Sequence, residues 1–218
     1  MNLSIINLHD YTVLEHVLFA SGCLLWVFTY VIIIQHIRKS QFIEIPLVCV
    51  AANFVWEFLW SFVFPTNMGE LYVWGYRVWF FMDCYILYGL FRYGANQIDI
   101  PLLKSKFHFI LVFNLLAWSV LLYFYIKEYD FPLSHMGAYA GYVLNTMMSA
   151  MYIPFMVRKF NPRLFSLPAA WYKGVGTLLI SVFCFLHFTD PFLLAMCVVT
   201  GVLDGIYIYL FIQLKRTY

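Results

Sequence analysis

The sequence predicts an all-α fold, a seven-transmembrane-helix bundle that forms one domain. The first observation is composition, since 64% of the 218 residues are hydrophobic and only 11% are charged, whereas soluble domains contain about 25% charged residues. The second is a set of seven apolar stretches, each near the roughly 20 residues that a helix needs to cross a hydrocarbon core. The third is that basic residues fall on alternate connections between these stretches, as the positive-inside rule requires.

The seven predicted spans leave only short connections between them. They cover residues 14–35, 43–64, 71–91, 107–126, 136–157, 172–189 and 192–213. We expect the first span to be retained rather than cleaved as a signal peptide, because Met1 to Asp10 contains no lysine or arginine and the first apolar run is long enough to span. Residues 1–218 are therefore predicted to form a single integral-membrane domain, whose functional site lies among the helices.

The fourth and fifth spans carry uncharged polar residues that we interpret as structural. These are Asn114, Asn145 and Ser149, and such residues most often join helices through hydrogen bonds worth roughly 0.6 kcal/mol each. The sixth span begins beside Lys173, which we assign to a basic boundary in the fifth connection.

The distribution of basic residues predicts the orientation. Eleven of the 13 basic residues lie on one side: Arg38, Lys39, Arg92, Lys104, Lys106, Arg158, Lys159, Arg163, Lys173, Lys215 and Arg216. The opposite side has Lys127 alone. The N-terminus is therefore predicted to lie outside and the C-terminus in the cytosol, in a bacterial inner membrane or the endoplasmic reticulum.

The composition also excludes several kinds of partner and site. A net charge of +2 lacks the basic density of a nucleic-acid binder, so we expect a lipid bilayer and no nucleic acid. The aspartates never fall close together and the histidines show no ligand spacing. We therefore expect no metal site, no cofactor and no diphosphate-ionising chemistry.

Most ionisable residues within the spans lie at span ends, and the four charged residues that do not are the candidate functional residues. Glu57, Arg77, Asp83 and Asp204 each cost at least about 2.5–3.5 kcal/mol at the centre of a membrane. At about 1.5 Å per residue, Glu57 and Arg77 are expected roughly 10 Å below the outer boundary, and Asp83 and Asp204 roughly 18 Å below it. We expect all four to line one cavity that opens outward.

The charge balance among these residues suggests their roles. Three carboxyl groups share one cation, and an unpaired carboxyl group in an apolar site keeps its proton, since desolvation disfavours the charged form. We expect Arg77 to pair with Asp83 or with a neighbouring carbonyl oxygen, which leaves Glu57 as the acid. A Glu57–Arg77 pair is the alternative.

Aromatic residues surround these charges and predict the walls of the cavity. An acid beside aromatic rings can protonate an alkene or epoxide and then stabilise the carbocation at about 0.5–2 kcal/mol per ring contact. Trp60 is the preferred wall residue because it shares a helix face with Glu57. The candidate substrate-binding residues are Asn53, Trp56, Trp60, Tyr76, Arg77, Trp79, Phe80 and Tyr207.

Three segments of the chain resemble the motifs of a known family. They are AANFVWEFLW with Asn53, Trp56 and Glu57, YRVWFFMDCYILYGL with Trp79 and Asp83, and VTGVLDGIYIYL with Gly201, Asp204 and Tyr207. They resemble the integral-membrane terpene cyclases of fungal meroterpenoid and indole-diterpene biosynthesis and their bacterial relatives. The resemblance covers essentially the whole chain and implies that Glu57 and Asp204 are the two essential acids. Asp83 matches the third-helix pattern and is a further catalytic candidate.

The resemblance implies a terpene cyclase, an isomerase by overall reaction. Its substrate would be a farnesyl or geranylgeranyl chain on an acceptor, cyclised after protonation of a terminal epoxide or alkene. A pathway prenyltransferase would supply this substrate and an epoxidase would supply its epoxide. The alternative is a non-catalytic small-molecule carrier or a proton-coupled transporter that uses the same carboxyl groups as a relay.

Overall fold

The computed structural model describes residues 4–161 and 163–217, which form helices and connections and no strand. The helices are α1 (Val13–Ser40), α2 (Leu47–Phe62), α3 (Glu70–Tyr93), α4 (Pro101–Ser105), α5 (Phe107–Tyr125), α6 (Phe131–Ser134), α7 (Ala138–Lys159), α8 (Leu167–His187) and α9 (Pro191–Thr217). A 3₁₀ helix covers Gly94–Gln97 and a π-helical turn covers Ile126–Asp130. The all-α prediction is confirmed for this part of the chain. Each predicted window coincides with one long helix, with ends within about five residues.

Several of these helices have the properties of membrane spans. Within the described residues, four helical segments are long and apolar enough to cross a membrane: Val13–Ser40, Phe107–Ser134, Leu167–His187 and Pro191–Thr217. Helix α2 is apolar but has only 16 residues, and α3 and α7 have the length without the composition. Side chains such as Phe109, Phe113 and Leu116 of α5 are exposed, and exposed apolar surface of this kind suits contact with lipid.

Close contact between α1 and α8 positions one wall of the central site. A Cβ atom on Gly22 would lie 2.6 Å from Ile180 Cγ1 and 2.8 Å from the carbonyl oxygen of Gly176. Small residues at a helix contact let the two backbones approach closely. This approach places Tyr30 of α1 and Lys173 of α8 near the centre of the bundle, where they line the same cavity.

The start of α7 is held by a buried carboxylate. Asp130 accepts hydrogen bonds from the backbone N–H groups of Tyr139 at 3.2 Å and Ala140 at 2.8 Å, and from the Ser134 hydroxyl. A carboxylate at a helix N-terminus satisfies free N–H groups and complements the helix dipole. Asp130 therefore anchors the first turn of α7, from which Ala138 and Gly141 line the central cavity.

Candidate active site

A cavity of about 100 Å³, measured as the space open to the centre of a water molecule, lies among α1, α2, α3, α7 and α8. Glu57 lines it, and it is the only acidic residue among the described lining residues. Six aromatic side chains of α1, α2 and α3 line it as well: Phe19, Trp26, Tyr30, Trp56, Tyr76 and Trp79. The cavity thus combines one carboxyl group with largely aromatic walls.

Glu57 is 1% exposed. The two oxygens of its carboxyl group have different surroundings. Oε1 accepts hydrogen bonds from the Tyr30 hydroxyl and, at 3.0 Å, from the Asn53 amide. Oε2 is buried and has no hydrogen-bond partner among the residues that the structure describes. Because Oε1 already accepts two hydrogen bonds, the carboxyl proton is expected on Oε2. Glu57 is therefore arranged as a neutral acid, and its carboxyl group also contacts that of Asp83.

Asn53 links Glu57 to a second acid. Its amide nitrogen donates to Asp83 Oδ2 at 2.9 Å and lies 2.6 Å from the Tyr30 hydroxyl oxygen. Two carboxyl groups around one amide, both buried, cannot both ionise at low cost, so the pair is expected to share a proton. Asp83 lines a smaller cavity of about 20 Å³ and is not among the described lining residues of the larger one.

Asp204 forms a buried ion pair that the sequence analysis does not foresee. Lys173 Nζ donates to Asp204 Oδ1 at 2.7 Å and Oδ2 at 2.9 Å, and to the Ser149 hydroxyl at 2.8 Å. The Ser149 hydroxyl in turn donates to Asp204 Oδ1 at 2.7 Å. Asp204 is not among the described lining residues of either cavity.

The assignment of Lys173 to a basic connection is therefore wrong. Helix α8 begins at Leu167, five residues before the predicted window, and Pro168 lies in its first turn. Proline is well accommodated there because the first N–H groups of a helix have no intrahelical partner. Lys173 thus lies within α8 and is buried.

Arg77 lies on a different side of α3 from the cavity residues. Its guanidinium lies 4.8 Å from the Trp74 ring centroid, and its Nε donates to the carbonyl oxygen of Ser61 at 3.5 Å. Of the expected partners, the neighbouring carbonyl is the one found, and no ion pair with Asp83 or Glu57 occurs in the described structure. Residues 76, 79 and 83 share a helix face, and position 77 is turned about 100° from position 76.

The four charged candidates do not share one cavity, contrary to expectation. Glu57 lines the larger cavity and Asp83 the smaller one, and Arg77 and Asp204 are outside the described lining of both. Among the lysines and arginines that the structure describes, Lys173 is buried, whereas Arg77 is only half-buried.

The predicted substrate-binding residues form an inner set, which lines the larger cavity, and an outer set, which does not. Trp56, Tyr76 and Trp79 line the larger cavity, and Asn53 lines both cavities. Trp60 does not line the larger cavity. It lies behind that wall, with its ring centroid 6.4 Å from Trp56 and 6.4 Å from Tyr76.

Two further candidates also lie outside the cavity walls. Phe80 packs against Phe54 and Phe58, with ring centroids 5.3 and 5.9 Å apart. Tyr207 packs against Tyr152, with a centroid distance of 5.3 Å. Tyr152 lines the smaller cavity, and Tyr207 packs against it.

The family model of the Pyr4-like transmembrane terpene cyclases matches residues 6–217 of the chain. The chain belongs to this family. The resemblance seen in the three motifs is confirmed, and the chain is an integral membrane protein of the terpene cyclase family.

Curated members of the cyclase family match parts of the chain. The Pyr4-family terpene cyclase mfmH of Annulohypoxylon moriforme is 28% identical over 108 residues, which is 49% of this chain and 44% of the relative. Terpene cyclase trt1 of Aspergillus terreus is 28% identical over 80 residues, 36% of this chain and 39% of the relative. Terpene cyclase dpasB of Apiospora sacchari is 26% identical over 127 residues, which is 57% of this chain and 51% of the relative. The chain thus spans about half or less of the length of these relatives. No solved structure gives a significant match.

In this Pyr4-like chain, α1 and α8 contribute site residues that no motif in the sequence predicts. Tyr30 and Trp26 belong to an apolar helix without a local motif, and their inward placement follows from the packing of α1 on α8. Asn145 joins α7 to α8 through Thr177 Oγ1 at 3.1 Å, as predicted, and both residues also line the larger cavity. Asn114 instead donates within its own helix, to the carbonyl oxygen of Ile110.

Proposed function

We propose that the protein is a membrane-bound terpene cyclase whose general acid is Glu57. The substrate is a farnesyl or geranylgeranyl chain attached to an acceptor, with a terminal epoxide or alkene. A single observation carries the proposal: the larger cavity has one carboxyl group with an unpartnered oxygen, and its other walls are largely aromatic and apolar. Family membership supports the same reaction class.

The proposed reaction starts with a proton transfer from Glu57 Oε2 to the epoxide oxygen or to an alkene carbon. The carboxylate that remains keeps the Tyr30 and Asn53 hydrogen bonds to Oε1, which stabilise its charge. Attack of the next double bond on the cation forms a ring and moves the positive charge along the chain. A carbon beside the last cation then loses a proton, which returns to the Glu57 carboxylate directly or by way of solvent, so that the acid is regenerated and the product is an isomer of the substrate.

The aromatic walls are proposed to stabilise the carbocation. Trp56, Tyr76 and Trp79 line the cavity, and an aromatic ring can attract a desolvated cation by up to about 2 kcal/mol. We assign an indirect role to the outer candidates, which hold the inner residues in place. These are Trp60, Phe80, Arg77 and Tyr207.

The other two acids are proposed to support Glu57 rather than to donate the first proton. Asp83 shares Asn53 with Glu57, and Asp204 is neutralised by Lys173. No observation supports the transporter alternative, and the matching family and the curated relatives are cyclases.

We also propose that all seven long helices span the membrane, with the N-terminus outside and the C-terminus in the cytosol. The alternation of basic connections supports this orientation. It does not depend on Lys173, since Arg158, Lys159 and Arg163 remain outside α8 on the same predicted side. A bacterial inner membrane or the endoplasmic reticulum would satisfy it. A prenyltransferase and, for an epoxidised substrate, an epoxidase would act before this step.

The test is turnover by membranes that contain the wild type or the Glu57→Gln variant. Farnesylated and geranylgeranylated acceptors are supplied with and without a terminal epoxide, and a product of unchanged mass with a new retention time reports cyclisation. The variant keeps the shape of the side chain but cannot donate an acidic proton, so turnover should fall about 10²–10⁴-fold. Glu128→Gln, at an exposed position, is the matched control. Near-normal turnover by Glu57→Gln would contradict the assignment.

A further inference from the structure

Two polar links join α7 to α8 beside the larger cavity, and only one of them is complete. In the first, the Tyr142 and Ser181 hydroxyl groups lie 2.8 Å apart, and Ser181 donates to the carbonyl oxygen of Thr177 at 2.9 Å. In the second, about one turn further along α7, Asn145 Nδ2 donates to Thr177 Oγ1 at 3.1 Å. Asn145 Oδ1 is buried and has no hydrogen-bond partner among the residues that the structure describes.

A role in joining helices does not explain the unpartnered oxygen of Asn145. The link to α8 uses Nδ2 alone, and a buried acceptor without a hydrogen bond lowers stability. Buried polar groups in native proteins almost always have a partner, so an exception calls for a specific cause. Asn145 and Thr177 both line the larger cavity. A molecule bound in that cavity can therefore supply the hydrogen bond that Oδ1 lacks.

The unpartnered atoms of the residues that line this cavity indicate the chemistry of the ligand. Trp56 Nε1 and Trp79 Nε1 are buried donors that have no acceptor within the described structure. Asn145 Oδ1 only accepts, and it requires a ligand atom that carries a hydrogen. An epoxide or ether oxygen carries none, and the prenyl chain is a hydrocarbon. A hydroxyl group both donates and accepts, and in the proposed substrate it belongs to the acceptor.

We infer that Asn145 is a specificity-determining residue that accepts a hydrogen bond from a hydroxyl group on the acceptor portion of the substrate. The inference rests on the proposed function, because it concerns the part of the same substrate that Glu57 does not protonate. Thr177 holds the amide nitrogen and leaves the oxygen available. The close approach of α1 to α8 positions Thr177 in turn, since a Cβ on the preceding residue, Gly176, would lie 3.0 Å from the carbonyl oxygen of Gly22.

Binding without turnover tests the inference. The background is Glu57→Gln, in which the probes are not converted. The probes are a farnesylated phenol and the matching farnesylated benzene, and quenching of tryptophan fluorescence in detergent measures the Kd of each. The phenol should bind about tenfold more tightly, and adding Asn145→Leu should reduce this preference to less than about threefold. Equal binding of the two probes before that change would show that water alone meets the amide oxygen, and it would overturn the inference.

A matched control separates recognition from helix packing. Ser181→Ala removes a hydroxyl group from the neighbouring link between the same two helices, and Ser181 is not among the described lining residues of the cavity. This variant should keep the preference for the phenol, because the Asn145 amide is unchanged. Loss of the preference in Ser181→Ala as well would assign it to packing and overturn the inference, as would a preference that persists in a folded Asn145→Leu protein.

Turnover gives a second readout. With a hydroxylated acceptor, Asn145→Leu should raise KM by about tenfold, whereas kcat should change by less than about threefold because Glu57 and its donors are unaltered. A fall in kcat with an unchanged KM would overturn the inference. If the wild type cyclises none of the substrates, the proposed function fails, whereas the binding preference still decides the role of Asn145.

Discussion

Glu57 and Asp204 are each the single acid of an apolar helix, yet their surroundings differ. Glu57 faces a cavity, has an unpartnered oxygen and is bonded by neutral donors. Asp204 is held by a lysine and a serine, and it lies outside the described lining of both cavities. Two acids that a motif presents as equals therefore have different chemistry: one is suited to donate a proton and the other to hold a positive charge in place.

The largest effect on stability is expected from breaking the ion pair. Lys173→Met leaves a buried carboxylate without its partner, which costs about 3–5 kcal/mol, and the double variant Lys173→Met/Asp204→Asn should recover most of this loss. Glu57→Gln should cost less than about 1 kcal/mol, because Gln retains an oxygen that can accept both hydrogen bonds. Thermal unfolding in detergent measures the difference. Equal destabilisation by Lys173→Met and Glu57→Gln would remove the contrast between the two acids.

The next effect concerns the donors on the Glu57 side. Tyr30→Phe removes the hydroxyl group that donates to Glu57 Oε1, and a hydrogen bond to a charged group is worth about 1.5–3 kcal/mol. Since the carboxylate forms during the reaction, kcat should fall roughly 10–100-fold. Tyr209→Phe, at an exposed position on α9, is the control. A higher KM with normal kcat would indicate that Tyr30 contacts the substrate instead.

A smaller effect is expected where the backbone of α7 meets the aromatic wall. Gly137 has φ +80°, and a Cβ there would lie 2.7 Å from Trp60 Cε2 and 2.8 Å from Trp56 Cζ2. Gly137→Ala should therefore destabilise the protein by about 1–3 kcal/mol and change the product pattern by moving the Trp56 ring. Gly75→Ala meets no atom within 4 Å and should be neutral or slightly stabilising. Similar unfolding temperatures for both variants would contradict this packing.

The smallest effect is expected at Arg77, which contrasts with Asp83 on the same helix. Arg77 contacts Trp74, which is 61% exposed, and such a contact is worth about 0.5–1 kcal/mol. Arg77→Met should change turnover by less than about fivefold, whereas Asp83→Asn should change it more. If Arg77→Met lost as much activity as Glu57→Gln, that result would support the ion pair between Arg77 and an acid that the sequence suggests.

The helices and the acid with its aromatic wall could be predicted from the sequence, because they depend on local patterns. Apolar runs of span length give the long helices, and a lone glutamate among tryptophans gives the candidate acid. The start of α8 could not be predicted, because Pro168 looks like the end of a helical segment in the sequence but lies in the first turn of α8. Because α8 begins five residues before the predicted span, Lys173 lies in the interior and not in a connection.

The sequence by itself determined the all-helical architecture, the family and the identity of the candidate acid. Only the tertiary structure decided which polar groups meet. Lys173 pairs with Asp204, and Asn53 lies between Glu57 and Asp83. Asn53 and Glu57 are four residues apart on α2, but the Lys173–Asp204 and Asn53–Asp83 contacts join different helices, and each depends on how far a helix is rotated about its axis. A helix pattern gives the set of residues on each face, but the close approach of neighbours such as Gly22 and Gly176 fixes which faces are opposed.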